Sequence, residues 1–199
     1  MESKLFTPVT FGPLTLRNRT IRSAAFESMC PGNAPSDMLL DYHRSVAAGG
    51  IGMTTVAYAA VTQSGLSFDR QLWMRPEIIP GLRRLTDAIH AEGAAAGIQL
   101  GHCGNMSHKS ICGCMPVGAS SGFNLYSPTF VRGLRADELP EMARAYGRSV
   151  NLAREAGFDS VEIHAGHGYF ISQFLSPSTN HRTVSYTHLR AHETSQDLV

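Results

Sequence analysis

One stretch decides the fold of this chain, and it reads Phe158-Asp-Ser-Val-Glu-Ile-His-Ala-Gly-His-Gly-Tyr-Phe-Ile-Ser-Gln-Phe-Leu-Ser-Pro177. Val161 and Ile163 alternate with polar neighbours, and this period of two is typical of a β-strand. Gly166 and Gly168 then interrupt the pattern and let the backbone turn. The stretch therefore predicts a strand that passes abruptly into a loop.

Three polar side chains follow the end of that strand: His164, His167 and Tyr169. Two imidazoles and a phenol supply hydrogen-bond donors and a proton donor within a few residues. A lone histidine would be read as a satisfied core residue, and a lone tyrosine as packing. Because parallel-sheet folds place their chemistry at strand ends, we interpret this cluster as a functional site.

A repeated unit precedes the stretch. Residues 5–19 predict a short hairpin, and residues 20–25 predict the first core strand. Three helical patterns follow, at residues 36–48, 81–92 and 137–156, and each ends at glycine before a short apolar strand. Such strand–helix–strand repeats imply parallel strands with right-handed crossovers. The pattern fits a small open sheet or half of an eight-stranded barrel.

Two other features refine this picture. No Gly-x-Gly-x-x-Gly follows the first strand, which argues against a dinucleotide-binding Rossmann sheet. Residues 101–135 form a connection that is long for a strand-to-helix loop and rich in glycine. Loops of that length usually bind something or are disordered, and here we predict an ordered lid or rim.

Composition and charge bear on the class of protein. The chain is 43% hydrophobic with a net charge of +1, which fits a globular domain and gives no sign of a nucleic-acid or membrane partner. We see no signal peptide and no membrane span, so we expect a cytoplasmic protein. The four cysteines do not suggest a disulfide framework, and Cys112-Gly-Cys114 lacks the two-residue spacing of zinc and redox motifs. We interpret them as loop thiols without a metal.

A longer motif carries a family resemblance. Glu162-Ile-His-Ala-Gly-His-Gly-Tyr169, followed by Gln173-Phe-Leu-Ser-Pro177 and Asn180-His-Arg182, resembles the old yellow enzyme family of FMN-dependent oxidoreductases. The resemblance is to the branch of 2,4-dienoyl-CoA, 2-enoate and ene reductases. It implies an α/β fold: the N-terminal half of a (β/α)8 TIM barrel with an N-terminal β-hairpin, truncated after the fourth strand.

The resemblance also divides the chain. It implies a partial FMN-binding TIM barrel over residues 1–183. Residues 184–199 do not resemble the family, and we interpret them as an unrelated tail. The spacing of His188 and His192 in that tail could suggest a metal site, but we do not assign one.

The reaction that the resemblance implies is reduction of the C=C bond of an α,β-unsaturated carbonyl compound: an enone, an enoate, or an enoyl- or dienoyl-CoA. FMN would carry the hydride, and NADH or NADPH would be the reductant. An iron–sulfur cluster is implied only for a C-terminal part beyond these residues. The expected partner is this small substrate, the oligomeric state is left open, and the truncated chain by itself is expected to be inactive.

The resemblance assigns roles residue by residue. His164 and His167 match the pair that grips the substrate carbonyl oxygen, and Tyr169 matches the proton donor. Flavin contacts are implied for a second set: Ala24, Ala25, Phe26, Tyr58, Gln99 and His164. Phe26 stands where the ene-reductase branch carries a cysteine that tunes the flavin, so substrate scope is left open.

Two further expectations concern Glu162 and His102, and two rival functions are left open. We expect Glu162 to point into the barrel and to pair with Arg22, and His102 to line the mouth of the site. One rival is a metal-dependent barrel hydrolase with His164, His167 and His102 as ligands, although His164 and His167 lie across a glycine turn. The other rival is a non-catalytic barrel fragment.

Overall fold

The structure is a computed structural model that describes residues 3–182. The described strands are β1 (Val9–Phe11), β2 (Leu14–Leu16), β3 (Ile21–Arg22), β4 (Met53–Ala60), β5 (Ala95–Gly101), β6 (Val117–Gly118), β7 (Gly122–Asn124), β8 (Thr129–Gly133) and β9 (Ser160–Ile163). The described α-helices are α1 (Asp37–Ala48), α2 (Ile79–Ala91), α3 (Lys109–Cys112), α4 (Leu139–Glu155) and α5 (Phe170–Leu175). The tail at 184–199, with His188 and His192, lies outside the described residues.

The predicted N-terminal hairpin is present. β1 and β2 pair antiparallel, with Val9 opposite Leu16. Gly12 takes a left-handed conformation, with φ +55°, in the turn between them. Just after the hairpin, the Arg17 guanidinium donates hydrogen bonds to the carbonyls of Ala47 and Glu92, at the carboxyl ends of α1 and α2. A cation at the carboxyl end of a helix interacts favourably with the helix dipole, so Arg17 links the hairpin to the ends of α1 and α2.

A four-stranded parallel sheet forms the centre of the molecule, in the order β3-β4-β5-β9. Ile98 on β5 lies opposite Val161 on β9. One face of this sheet packs against α1, α2 and α4 in a core that includes Leu39, Leu82, Leu85, Ile89, Val56, Ile98 and Leu100. The parallel direction of the strands matches the sequence prediction.

The helix boundaries follow local chemistry. The Ser36 hydroxyl accepts a hydrogen bond from the backbone N–H of Leu39, which caps the start of α1. Just beyond the ends of α1, α2 and α4, Gly50, Gly93 and Gly157 adopt φ values of +93°, +74° and +89°. Glycine reaches this region without a steric cost, so these helices stop where the sequence indicates.

The long connection at 101–135 is an ordered rim, as predicted. It contains α3 and a small sheet in which β8 pairs with β6 on one side and β7 on the other. The Asn124 side chain anchors this sheet by donating to the backbone carbonyl of Asn105 at 2.8 Å. No helix among residues 3–182 combines the length and apolar character needed to cross a membrane.

The predicted pairing of Glu162 with Arg22 is wrong. Arg22 lies on an edge strand and donates to Tyr42 of α1, on the helix-covered side of the sheet. Its carboxylate partner is Glu27, at 2.9 Å. Glu162 lies on the opposite edge strand, next to Gln99 and away from the helices. The first core strand is also shorter than predicted, since regular pairing covers Ile21–Arg22 alone.

Candidate active site

The three residues of the predicted catalytic cluster lie together beyond the end of β9. The backbone N–H of His164 donates to the Leu100 carbonyl at 2.8 Å, which extends the sheet pairing by one residue. The ring centroid of His164 is 4.9 Å from that of His167 and 5.0 Å from that of Tyr169. The structure therefore brings both imidazoles and the phenol into one contact group.

The hydrogen bonds of His164 indicate which ring nitrogens carry protons. The Gly166 N–H donates to His164 Nδ1 at 3.4 Å, which places the His164 proton on Nε2. That nitrogen lies 3.2 Å from His167 Nδ1, so His167 carries its proton on Nε2. Burial, followed by the neighbouring His167, lowers the pKa of His164. His164 is therefore neutral at neutral pH and donates its N–H to His167, whose Nε2–H points away from this bond.

The turn that carries His167 is strained, and hydrogen bonds from side chains of α5 stabilise it. His167 has φ +57°, a left-handed conformation that is costly for a residue with a side chain. The buried amide of Gln173 donates to the Gly168 carbonyl at 2.7 Å, and the Ser172 hydroxyl donates to Ala165. Sequence reasoning assigned no role to Gln173. The sequence feature that could have identified it is a long polar side chain within a largely apolar helix.

Tyr169 is half-buried beside this pair. Burial raises the pKa of its phenol, and the hydroxyl of Ser67 acts in the opposite direction. The phenol is therefore protonated at neutral pH, as a proton donor must be. Ser67, from the loop after β4, was not recognised from the sequence, since nothing local links it to residue 169.

The buried ring of Tyr58 packs against His164 and Tyr169. Its ring is 5.8 Å from that of His164 and 5.6 Å from that of Tyr169, while its hydroxyl donates to the Gly65 carbonyl. The ring occupies the space where Gly101 lacks a side chain, because a Cβ at residue 101 would lie 2.1 Å from it. Burial raises the pKa of Tyr58 well above its ordinary value.

The other residues predicted to contact the flavin are Gln99, Ala24, Ala25 and Phe26, and they differ in how exposed they are. Gln99 is partly exposed and donates to the Glu162 carboxylate, on the face away from the helices. Ala24 is partly buried, and Ala25 and Phe26 are exposed. The Phe26 ring stacks on Phe68 at 4.7 Å.

A buried ionic network fixes the Ala24–Phe26 segment, and sequence reasoning missed it. The Glu27 carboxylate is bound by Arg22 at 2.9 Å and by the His43 ring at 3.1 Å, and it accepts from the Ala57 N–H at 3.2 Å. His43 also contacts the Thr54 hydroxyl at 2.8 Å. Glu27 thereby ties the loop after β3 to the middle of β4.

His102 does not line the mouth of the site. It is fully buried, with Nε2 3.1 Å from the Ser64 hydroxyl and Nδ1 accepting from the Gly104 N–H. Burial lowers its pKa to about 3, so the ring is neutral. Within residues 3–182, no group of three or more His, Cys, Asp or Glu side chains is arranged to hold a metal ion. The ligand set of the hydrolase hypothesis is therefore not assembled, since His102 is used elsewhere.

Comparison with known proteins gives one consistent result. A sequence profile of the NADH:flavin oxidoreductase / NADH oxidase family matches residues 4–187. The 4,4'-dithiodibutanoate disulfide reductase of Rhodococcus erythropolis is 42% identical over 92% of this chain and 45% of its own length. The NADPH dehydrogenase of Bacillus subtilis is 35% identical over 94% of this chain and 55% of its own length.

A solved structure agrees with these sequence matches. The old yellow enzyme homologue from Zymomonas mobilis superposes with a TM-score of 0.85 at 28% identity, covering 92% of this chain and 54% of that one. The chain thus spans about half the length of the relatives it matches. On the strength of the sequence match and the shared α/β architecture, this chain belongs to the NADH:flavin oxidoreductase / NADH oxidase family.

Proposed function

We propose that this chain is the N-terminal half of an FMN-dependent NAD(P)H oxidoreductase that reduces the C=C bond of α,β-unsaturated carbonyl compounds. The observation that carries the proposal is the contact group of His164, His167 and Tyr169. It combines imidazole N–H groups, which can stabilise negative charge on an oxygen, with a protonated phenol. Proton donation and oxyanion stabilisation are the two tasks that such a reduction asks of the protein.

The residues present fit the cofactor that this reaction needs. The Gln99 amide offers a donor and an acceptor side by side, which suits the imide edge of a flavin ring. It is partly exposed on the face of the sheet opposite α1, α2 and α4. In this proposal Gln99, Ala24, Ala25, Phe26 and His164 hold the ring, and Tyr58 supports it from below.

Each residue of the contact group has a distinct task in the mechanism. The hydride for the β-carbon of the substrate would be supplied by FMN bound against these residues. In this proposal His167 donates its Nε2–H to the carbonyl oxygen, where negative charge develops, and His164 turns its Nε2–H from His167 to the same oxygen when the substrate binds. Tyr169 holds a proton on its phenol oxygen for transfer to the α-carbon. Gln173 keeps the strained turn in place, so that His167 is positioned before the substrate arrives.

One comparison favours a second substrate class. The 42% identical relative from Rhodococcus erythropolis is named for reducing a disulfide, 4,4'-dithiodibutanoate. We therefore propose this disulfide as the alternative electron acceptor. The proton donor and the flavin contacts would serve it, whereas the carbonyl-gripping role of the histidine pair would not be needed.

The test is a completed barrel, made by fusing residues 1–182 to the part of the Rhodococcus relative that lies beyond the match. Tyr169→Phe is expected to slow oxidation of the reduced flavin by 2-cyclohexenone about a hundredfold, and to leave reduction by NADPH or NADH unchanged. The matched control is Tyr126→Phe, since Tyr126 is 93% exposed on the rim. Equal stopped-flow oxidation rates for the two variants would remove Tyr169 from the mechanism.

The same fusion tests the histidine pair. His164→Ala is expected to weaken binding of a phenol, which mimics the oxyanion, by roughly 3 kcal/mol. If the reduced fusion transfers electrons to 4,4'-dithiodibutanoate but not to 2-cyclohexenone, the disulfide is the substrate class. A fusion that folds without retaining FMN would contradict the proposal as a whole.

A polypeptide of these 199 residues alone is expected to be inactive. Flavin phosphate sites in such barrels are built largely by the loops after the seventh and eighth strands. The central sheet of the described residues has four strands. It offers contacts to the flavin ring, and we expect weak retention of FMN.

A further inference from the structure

Two cysteines on the rim form a thiol pair that the proposed reaction does not use. Cys112 is the last residue of α3 and is buried, whereas Cys114 is exposed. Their sulfur atoms are 3.7 Å apart. Cys30 and Cys103, the other two cysteines of the chain, are both buried, and Cys103 donates to the Leu66 carbonyl instead.

The backbone between the two thiols is already bent for a short ring. Gly113 has φ +71°, a left-handed conformation that glycine adopts without strain and that ends α3. The Cys112 thiol donates to the Cys114 carbonyl at 3.2 Å, so both cysteines face the inside of the same turn. A disulfide bond is about 2 Å long, so the exposed Cys114 has to move its sulfur inward by under 2 Å.

We propose that Cys112 and Cys114 form a reversible redox site, in which a small-molecule disulfide oxidises the pair to an intramolecular disulfide. The Cys114 thiolate attacks one sulfur of the small disulfide, forming a mixed disulfide and releasing one thiol. Cys112 then attacks the Cys114 sulfur and releases the second thiol. The pair loses two protons and two electrons, and the small disulfide is reduced to two thiols.

The division of roles follows from exposure. Cys114 can be reached from solvent, whereas Cys112 is enclosed by Ala60 and Leu66 and the partly buried Ile111 and Trp73. Cys114 is therefore the attacking residue and Cys112 the resolving residue. Burial and the neighbouring Cys112 raise the pKa of the Cys114 thiol to about 11, so the thiolate is scarce and the oxidant must be in excess.

Oxidised glutathione is the probe for the test on the purified, reduced chain. After acid quenching and blocking with N-ethylmaleimide, trypsin releases residues 110–132, which contain Cys112 and Cys114 and no other cysteine. The expected result is loss of both maleimide additions from this peptide, with a mass lower than that of the dithiol by two hydrogen atoms. Cys30 and Cys103 should remain reduced, and reduced glutathione in excess should restore both thiols.

Two variants separate the roles. Cys112→Ser should accumulate a glutathione adduct on Cys114, because the resolving thiol is gone. Cys114→Ser should leave Cys112 unmodified, because the buried thiol is not reached. The same treatment in guanidinium chloride provides the unfolded reference, in which all four cysteines are accessible.

Three outcomes would overturn the proposal. In the first, the wild-type peptide keeps both maleimide additions after exposure to oxidised glutathione. In the second, it carries a stable adduct on both cysteines. In the third, the native and denatured chains give the same pattern, which would show that the fold does not select this pair.

Discussion

Replacement of Gly101 by alanine tests the packing beneath the candidate site. The new methyl group would lie 2.1 Å from Cε2 of Tyr58 and 3.1 Å from the Cβ of His164. Carbon atoms in contact are about 3.5–4.0 Å apart, so the Tyr58 ring has to withdraw by about 1.5 Å. It cannot do so freely, because its hydroxyl is bonded to the Gly65 carbonyl and both strands are central in the sheet.

The expected cost can be worked out from this geometry. Overpacking of a well-packed interior costs about 1–3 kcal/mol. Loss of the Tyr58 hydrogen bond would add about 1 kcal/mol. We therefore expect the free energy of unfolding to fall by roughly 2–4 kcal/mol in Gly101→Ala, as measured by urea denaturation with an unchanged m-value.

Two further variants make the test specific. Gly147→Ala is the matched control, because Gly147 is exposed within α4 and a Cβ there meets nothing within 4 Å. It should stabilise the chain by about 0.5–1 kcal/mol, through helix propensity. On a Tyr58→Ala background, Gly101→Ala should cost little or nothing, because the ring that it strikes is gone. An equal loss with and without the Tyr58 ring would refute the argument.

Three other results are expected from the structure. Glu27→Ala should lower the free energy of unfolding by about 3–5 kcal/mol, because Arg22 and His43 lose a buried carboxylate. The control is Asp37→Ala, which breaks an exposed pair with Arg84 and should cost under about 1 kcal/mol. Equal losses in the two variants would contradict this expectation. Burial lowers the pKa of His102 to about 3 in the folded chain, from an ordinary value of 6.5. Between pH 6.5 and pH 3 the unfolded state therefore binds one more proton than the folded state. The free energy of unfolding should fall in this range by up to about 1.4 kcal/mol for each pH unit of acidification. Urea unfolding from pH 7 to 4 should show a shallower slope in His102→Gln, and an unchanged slope would disprove the assignment. For the 199-residue chain alone, titration with FMN should show little quenching of flavin fluorescence at micromolar concentration, whereas strong quenching would show that four strands suffice.

The sequence alone determined much of the local structure, because the relevant signals are local. Alternation in residues 158–164, the helical periods and the glycine stops depend on neighbours a few residues apart, so they predicted the central strands, α1, α2 and α4. The grouping of His164, His167 and Tyr169 was predictable for the same reason, since one short turn after a strand carries all three. The family resemblance rests on the same contiguous motif.

Tertiary structure decided what depends on distant segments. A period of two tells which residues share a face of one strand, but not which strands become neighbours or which face the helices cover. For that reason the sequence paired Arg22 with Glu162, whereas the sheet places them on opposite edges and faces. His102 is buried because a loop and α5 close over it, and Tyr58 finds its place because Gly101, from another strand, leaves room. Such contacts arise only when segments tens of residues apart pack together, and no local pattern records them.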